Sequence, residues 1–234
     1  MSFGEIIPST WYDGVYKLES DGSDSSGNAR DIATLNSPSF SVKRFGAGGM
    51  DLGTSGIDKG LRASSLDITG GTTATIYQVS MWFKLNTTSS LNTNACFFMI
   101  QHDHGGIDYR QMYSLANISG GNLVIDLILN LVTTPAQATL TVVADTDWHY
   151  LSFLVDINTG TCTIILDGKT ASHTGTGGLI SPGANRVSIG NHVTSSTLQL
   201  WASFDQATIS THTHYLTAFG IQRHYAQARG MFCI

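Results

Sequence analysis

The chain contains no pair of acidic residues that is suited to sugar hydrolysis. Its two glutamates, Glu5 and Glu19, both lie near the N-terminus, and no β-favouring segment carries acids at i, i+2 or i+4. Retaining glycoside hydrolases need two carboxyl groups about 5 Å apart. Aspartates such as Asp126 and Asp156 stand singly, so we expect no hydrolase activity.

Two histidine pairs have the spacing of a metal site on a strand, His102-x-His104 and His212-x-His214. Both rings of such a pair project from one face of a strand, but no third ligand can be named. We therefore interpret them as polar loop histidines. A lyase built from His, Tyr, Arg and Gln remains a minor alternative, because Tyr109-Arg110-Gln111 follows His102 closely in sequence.

The segment from Glu19 to Asp31 is rich in oxygen-bearing side chains. Asp21, Asp24, Ser26 and Asn28 are hard ligands of the kind that calcium prefers. The spacing is not that of an EF-hand loop, because Ile32 stands where the bidentate carboxylate is required. An ordinary surface turn held by side-chain hydrogen bonds is the alternative interpretation.

Aromatic residues suggest a different kind of site. Trp82 falls on the face of its predicted strand opposite the Val79, Met81 and Phe83 stripe, and Tyr77, Tyr109 and Trp201 could join it. An exposed aromatic ring can stack on the apolar C–H face of a sugar. The alternative for each ring is packing in the core beneath covering loops.

These candidates are positioned by β-strands. The segment Asp147–Lys169 predicts a hairpin, with strands at 148–155 and 161–166 and a turn at 158–160. Apolar residues on both faces of this hairpin indicate an interior position in a sheet. Further strands are predicted at 14–18, 76–85, 96–100, 109–116, 122–131, 139–143, 187–189 and 198–210. Thr217 can cap one short helix over 218–229.

Composition excludes several classes of partner. The 234 residues suit one large all-β domain, and 41% of them are hydrophobic. The net charge is −5, and the 12 Lys and Arg are scattered along the sequence, which disfavours nucleic acid and anionic membranes. We expect no membrane-inserted segment, no signal peptide, three free thiols and synthesis in the cytoplasm.

Several ordered motifs resemble the concanavalin A-like lectin/glucanase superfamily, and within it the laminin-G-like jelly-roll domains. The motifs span nearly the whole chain: Tyr16–Ser20, Asp24–Asn28, Arg44–Asp51, Val79–Lys84, Asp147–Leu151, Ile165–Lys169, Arg186–Gly190, Phe204–Ile209 and Leu216–Ile221. The resemblance implies an all-β, two-sheet antiparallel jelly-roll sandwich. It also implies a structural calcium ion (Ca2+) at Asp24 and Asp205, with Asn28 as a further candidate ligand from the same loop.

The sequence therefore predicts an N-terminal arm over residues 1–10 and a single domain over residues 11–234. The predicted function is a non-catalytic carbohydrate-binding or adhesive module, with Trp82, Tyr77, Tyr109 and Trp201 as candidate ligand-binding residues. The alternative is a structural virion protein, because laminin-G-like domains that stand alone resemble head-decoration and tail-fibre modules displayed on bacteriophage virions. Glycans or other virion or surface proteins are then the expected partners, and a homo-oligomer is left open.

Overall fold

The computed structural model describes residues 13–42, 44, 48–54, 59–68, 76–89, 91, 95–102, 110–130, 135–175, 185–192 and 199–211, and for residues 102, 110, 111 and 185 it describes the backbone alone. Fifteen strands lie within this part of the chain: β1 (Gly14–Tyr16), β2 (Ala33–Leu35), β3 (Ser39–Val42), β4 (Gly49–Asp51), β5 (Gly60–Leu66), β6 (Ile76–Leu85), β7 (Ala95–His102), β8 (Arg110–Ser119), β9 (Asn122–Asn130), β10 (Ala136–Val143), β11 (His149–Asp156), β12 (Thr161–Leu166), β13 (Lys169–Thr174), β14 (Asn185–Ile189) and β15 (Ala202–Thr211).

The strands form two antiparallel sheets, which confirms the predicted jelly-roll sandwich. The first sheet has the order β13-β12-β11-β6-β15-β4-β3, and β1 also pairs with β15. The second sheet has the order β10-β9-β8-β7-β14-β5-β2. The predicted hairpin is β11 and β12, and β11 lies between β12 and β6 in the interior of the first sheet.

The core lies between the sheets because each sheet turns one apolar stripe inward. Along β9 and β10, buried residues alternate with more exposed ones at the period of two that a half-buried strand requires. Phe97 of the second sheet meets Phe83 of the first edge-on, with ring centroids 4.9 Å apart. Both rings are fully buried, so aromatic contacts join the two sheets at this level.

One end of the sandwich is shaped by the connection between β12 and β13. Asp167 and Gly168 form a two-residue loop, and both have positive φ, 48° and 86°. This is the backbone of a type I′ turn, which matches the twist of the strands that it joins. The turn sets Leu166 and Lys169 opposite each other at the strand ends, close to the start of β11.

The predicted helix over 218–229 and the predicted arm over 1–10 lie outside the described residues. Among the residues that the structure describes, no helix is long and apolar enough to cross a membrane.

Candidate functional site

Trp82 lies on the expected face of β6 but is not exposed. Only 1% of the residue is accessible to solvent. The ring of Tyr150, its neighbour on β11, is tilted against it at a centroid distance of 5.2 Å, and the guanidinium carbon of Arg44 lies 3.9 Å from the ring centroid. The expectation of an open stacking surface at Trp82 is therefore wrong, because an aromatic and a cation–π contact cover the indole.

Of the other aromatic candidates, Tyr77 does not share the face of Trp82. Tyr77 points to the opposite face of β6, into the core, and is 1% exposed. Burial raises the pKa of its phenol, and its hydroxyl has no hydrogen-bond partner among the described residues. Trp201 is partly buried against the core, and Tyr109 lies outside the described residues.

The oxygen-rich loop is held together by hydrogen bonds to Asp24. Its Oδ1 accepts from the backbone amides of Val15 (2.9 Å) and Ser26 (2.8 Å). Its Oδ2 accepts from the Ser26 hydroxyl (2.7 Å) and the Arg30 amide (3.0 Å). Burial acts to raise the pKa of Asp24, but these hydrogen bonds outweigh burial and lower the pKa. Asn28 donates from Nδ2 to Ser26 Oγ (3.1 Å) in the same turn.

As arranged, the proposed metal ligands do not fit a calcium ion. The four hydrogen bonds to Asp24 use the acceptor sites that a carboxylate offers. Asp205, which is 1% exposed, accepts from the backbone amide of Arg44 at 2.9 Å. Within the described ranges, no group of three or more His, Cys, Asp or Glu is placed to hold a metal. Calcium binding thus remains a prediction that the loop geometry does not favour.

The structure does not describe the side chains of the remaining site candidates that the sequence suggested. The side chains of His102, Arg110 and Gln111 lie outside the described structure, as do residues 104, 109, 212 and 214 in full. The lyase alternative and both histidine pairs therefore stay predictions.

A pocket of about 170 Å³ opens where the edges of the two sheets meet. It lies at the end of β10, at the start of β11 and beside the β12–β13 turn. We call it the His149 pocket. It is lined by Val142, Val143, Asp145, His149, Leu166, Asp167 and Lys169. Strands from both sheets and two connections therefore contribute to one site.

His149 is held between two carboxylates at the base of this pocket. Its Nδ1 lies 2.5 Å from Asp167 Oδ2, and its Nε2 lies 2.7 Å from Asp145 Oδ1. Burial acts to lower the pKa of His149, but the hydrogen bonds and charges of Asp167 and Asp145 outweigh burial and raise the pKa. A neutral imidazole can donate from only one nitrogen, so this arrangement, the His149 clamp, favours the imidazolium form.

The clamp is fixed by its own backbone contacts. Asp167 Oδ1 accepts from the Tyr150 amide at 2.9 Å, and Asp145 Oδ1 also accepts from the Asp147 amide at 2.8 Å. The Phe83 ring lies beside the imidazole at a centroid distance of 5.5 Å. These contacts set the position of both carboxylates before any ligand arrives.

Apolar side chains form the rest of the pocket wall. Val143 is 74% exposed and is the one large hydrophobic residue that stands out into solvent in the described part of the chain. Val142 and Leu166 continue this wall, and the exposed Lys169 borders it. A concave apolar surface with a few fixed polar groups is the usual make-up of a small-ligand site.

The pocket was not predicted from the sequence, although two of the motifs that resemble the superfamily contribute to it. Asp147–Leu151 contains His149, and Ile165–Lys169 contains Asp167. The sequence did contain a signal for this site. Asp145 stands four residues before His149, and Asp167 follows in the Asp-Gly turn of the next hairpin. That signal becomes meaningful only once β11 and β12 are paired in register.

Comparisons with known proteins support the fold. A comparison with models of known protein families found no match, and a comparison with curated proteins found none either. Among solved structures, the chain is similar to domain 4 of an extracellular GH43 arabinanase from Geobacillus stearothermophilus, solved in complex with arabinotriose. The identity is 15% and the TM-score is 0.62, over 92% of this chain and 98% of that domain.

Botulinum neurotoxin binding domains are similar as well. The serotype D/C domain matches with 13% identity and a TM-score of 0.61, over 94% of this chain and 52% of that domain. A serotype DC domain solved with rat synaptotagmin II matches with 11% identity and a TM-score of 0.57, over 92% and 50%. This chain spans about half the length of these toxin domains. The similarity to these domains identifies the shared fold, a β-sandwich.

Proposed function

We propose that the chain is a non-catalytic module that binds a glycan in the His149 pocket, on a sandwich of the concanavalin A-like type. The observation that carries the proposal is the pocket itself, in which an apolar wall stands beside a fixed set of charged groups. The arabinanase domain, which is similar over nearly its full length, was solved with a bound sugar. That similarity supports a glycan as the ligand class.

The state of the carboxylates supports binding rather than catalysis. A general acid in glycoside hydrolysis needs a raised pKa. At Asp145, burial acts to raise the pKa, but the Asp147 amide and His149 outweigh burial and lower it. Asp167 gives one oxygen to His149 and the other to the Tyr150 amide. Both carboxylates therefore hold the imidazole rather than facing a scissile bond.

A glycan-array screen of the purified chain tests the proposal. Val143→Asp places a charge on the apolar wall of the pocket. Thr141→Asp is the matched control, because it adds the same charge on the same exposed face of β10, outside the pocket lining. We expect the wild type and Thr141→Asp to bind the same glycans and Val143→Asp to lose them. Binding that survives in Val143→Asp would place the site elsewhere.

A role as a virion structural protein is the alternative function. It depends on the arm at residues 1–10, which lies outside the described residues. A wild-type chain that binds no glycan in the screen would make this alternative the leading one.

A further inference from the structure

The charges around the His149 pocket are balanced. Asp145 and Asp167 contribute two carboxylates, and the imidazolium of His149 and the ammonium of Lys169 contribute two positive charges. The protein as a whole carries a net charge of −5. An anionic ligand would therefore gain little in the pocket and would be opposed by the field of the protein.

Most of the hydrogen-bonding capacity of the clamp is already used. Oδ1 of Asp145 accepts from His149 and from the Asp147 amide. Both oxygens of Asp167 accept from the protein. Among the described contacts, Oδ2 of Asp145 remains as an acceptor and the Lys169 ammonium as a donor. A ligand thus meets one acceptor, from the connection after β10, and one donor, from the first residue of β13.

The apolar part of the pocket limits the size and shape of the ligand. A volume of about 170 Å³ is close to that of the roughly 150 Å³ cavity that accepts one benzene ring, which suits a single ring rather than a long chain. Val143 offers an exposed aliphatic surface next to the polar groups. A pyranose has this combination, because its C–H groups form apolar patches and its hydroxyls both donate and accept hydrogen bonds.

We infer that the His149 pocket holds one neutral pyranose residue, with one hydroxyl donating to Asp145 Oδ2, a neighbouring hydroxyl accepting from Lys169 Nζ, and the C–H face lying against Val143. This inference rests on the proposed function and narrows its ligand class. A pocket of this kind favours neutral sugars over acidic ones, and Asp145 and Lys169 are the two residues that recognise hydroxyls.

Calorimetric titration with monosaccharides tests the inference. The neutral probes are galactose, mannose and N-acetylglucosamine, and the acidic probes are glucuronic acid and N-acetylneuraminic acid, each at low and high salt. Asp145→Asn keeps an oxygen for His149 and the Asp147 amide but replaces the free acceptor with an NH2 donor. Lys169→Met removes the donor and keeps much of the aliphatic stem. Lys17→Met, at an exposed lysine outside the pocket, is the control.

We expect at least one neutral probe to bind with an affinity that salt does not change. Asp145→Asn should weaken binding about tenfold or more, because a hydrogen bond to a charged group is lost. Lys169→Met should weaken it several-fold, and Lys17→Met should leave it unchanged.

Two results would overturn the inference and leave the proposed function standing. One is binding of acidic probes alone, with an affinity that falls at high salt and is lost in Lys169→Met. The other is neutral-sugar binding that neither pocket variant weakens. Failure of every probe, together with failure of the glycan array, would overturn the proposed function as well.

Discussion

Replacing Asp24 by Asn tests whether hydrogen bonds or a cation organise the loop after β1. Each carboxylate oxygen of Asp24 accepts two hydrogen bonds from protein donors. An Asn side chain keeps one oxygen and turns the other position into an NH2 group. Either orientation of the amide therefore faces NH2 toward a pair of donors.

The less costly orientation keeps the bonds to Val15 and Ser26 amides. The Ser26 oxygen already accepts from the amide and the side chain of Asn28, so its hydroxyl can only turn to donate to the Asp13 carbonyl, and the Arg30 amide loses its acceptor. Loss of one hydrogen bond to a charged acceptor costs about 1.5–3 kcal/mol. For a chain of this size, about 2 kcal/mol corresponds to a fall in Tm of about 4–8 °C.

The assay is thermal and urea unfolding of the wild type, Asp24→Asn and a control, each with calcium and with EDTA. Asp21→Asn is the control in the same loop, because Asp21 is exposed and accepts only short-range bonds, from the Ser23 amide and from the side chains of Ser23 and Ser20; we expect it to change stability by less than about 0.5 kcal/mol. The Asp24→Asn penalty should be the same with and without calcium. A wild type that EDTA destabilises, together with a penalty that disappears in EDTA, would refute this reasoning and support a calcium site.

Three further predictions concern the clamp, the core and the thiols. The raised pKa of His149 means that its stabilisation is fully present below the unfolded value of about 6.5 and is lost as pH rises through the folded pKa; unfolding of His149→Gln between pH 5 and 9 should show a weaker pH dependence than the wild type, and equal slopes would contradict the clamp. Phe97→Ala should cost about 3–5 kcal/mol in urea unfolding, since the ring is fully buried against Phe83, and a loss below about 1 kcal/mol would contradict this packing. Cys96 and Cys162 are both buried, and burial raises both pKa values, that of Cys162 to about 12; mass spectrometry should find neither alkylated in the folded protein, whereas rapid native labelling of either would contradict their burial.

Alternation of apolar and polar residues predicted the long interior strands well. β6 begins and ends where the sequence placed it, and the hairpin of β11 and β12 has the predicted turn. Five strands, β2, β3, β4, β5 and β13, were missed because their own residues do not identify them as strands. β13 is polar and mostly exposed, and its structure depends on pairing with β12, including a 2.9 Å contact between the hydroxyls of Thr163 and Ser172. Pairing partners of this kind are not visible in local sequence.

The same limit explains the errors at the candidate site. Periodicity placed Trp82 on the correct face of β6, but it cannot tell what covers that face, and here Arg44 and Tyr150 do. The His149 pocket is the opposite case, because its residues are separated in sequence by connections and turns. Their meeting depends on the register of β11 with β12 and on how the edge of the second sheet approaches the first.

Around Trp82, the outer face of the first sheet is lined by buried polar groups. Next to Trp82 on this face, Ser80 and Ser152 share a 2.8 Å hydrogen bond, and Gln78 donates to Ser80 at 3.1 Å. All of these residues are at least 98% buried. The serine and glutamine groups bond to one another, as buried polar groups must, and because they are buried this part of the sheet offers a sugar no open surface. The His149 pocket is open instead, because it is built where strands end and connections begin, and such segments can carry polar side chains to solvent on a rigid base.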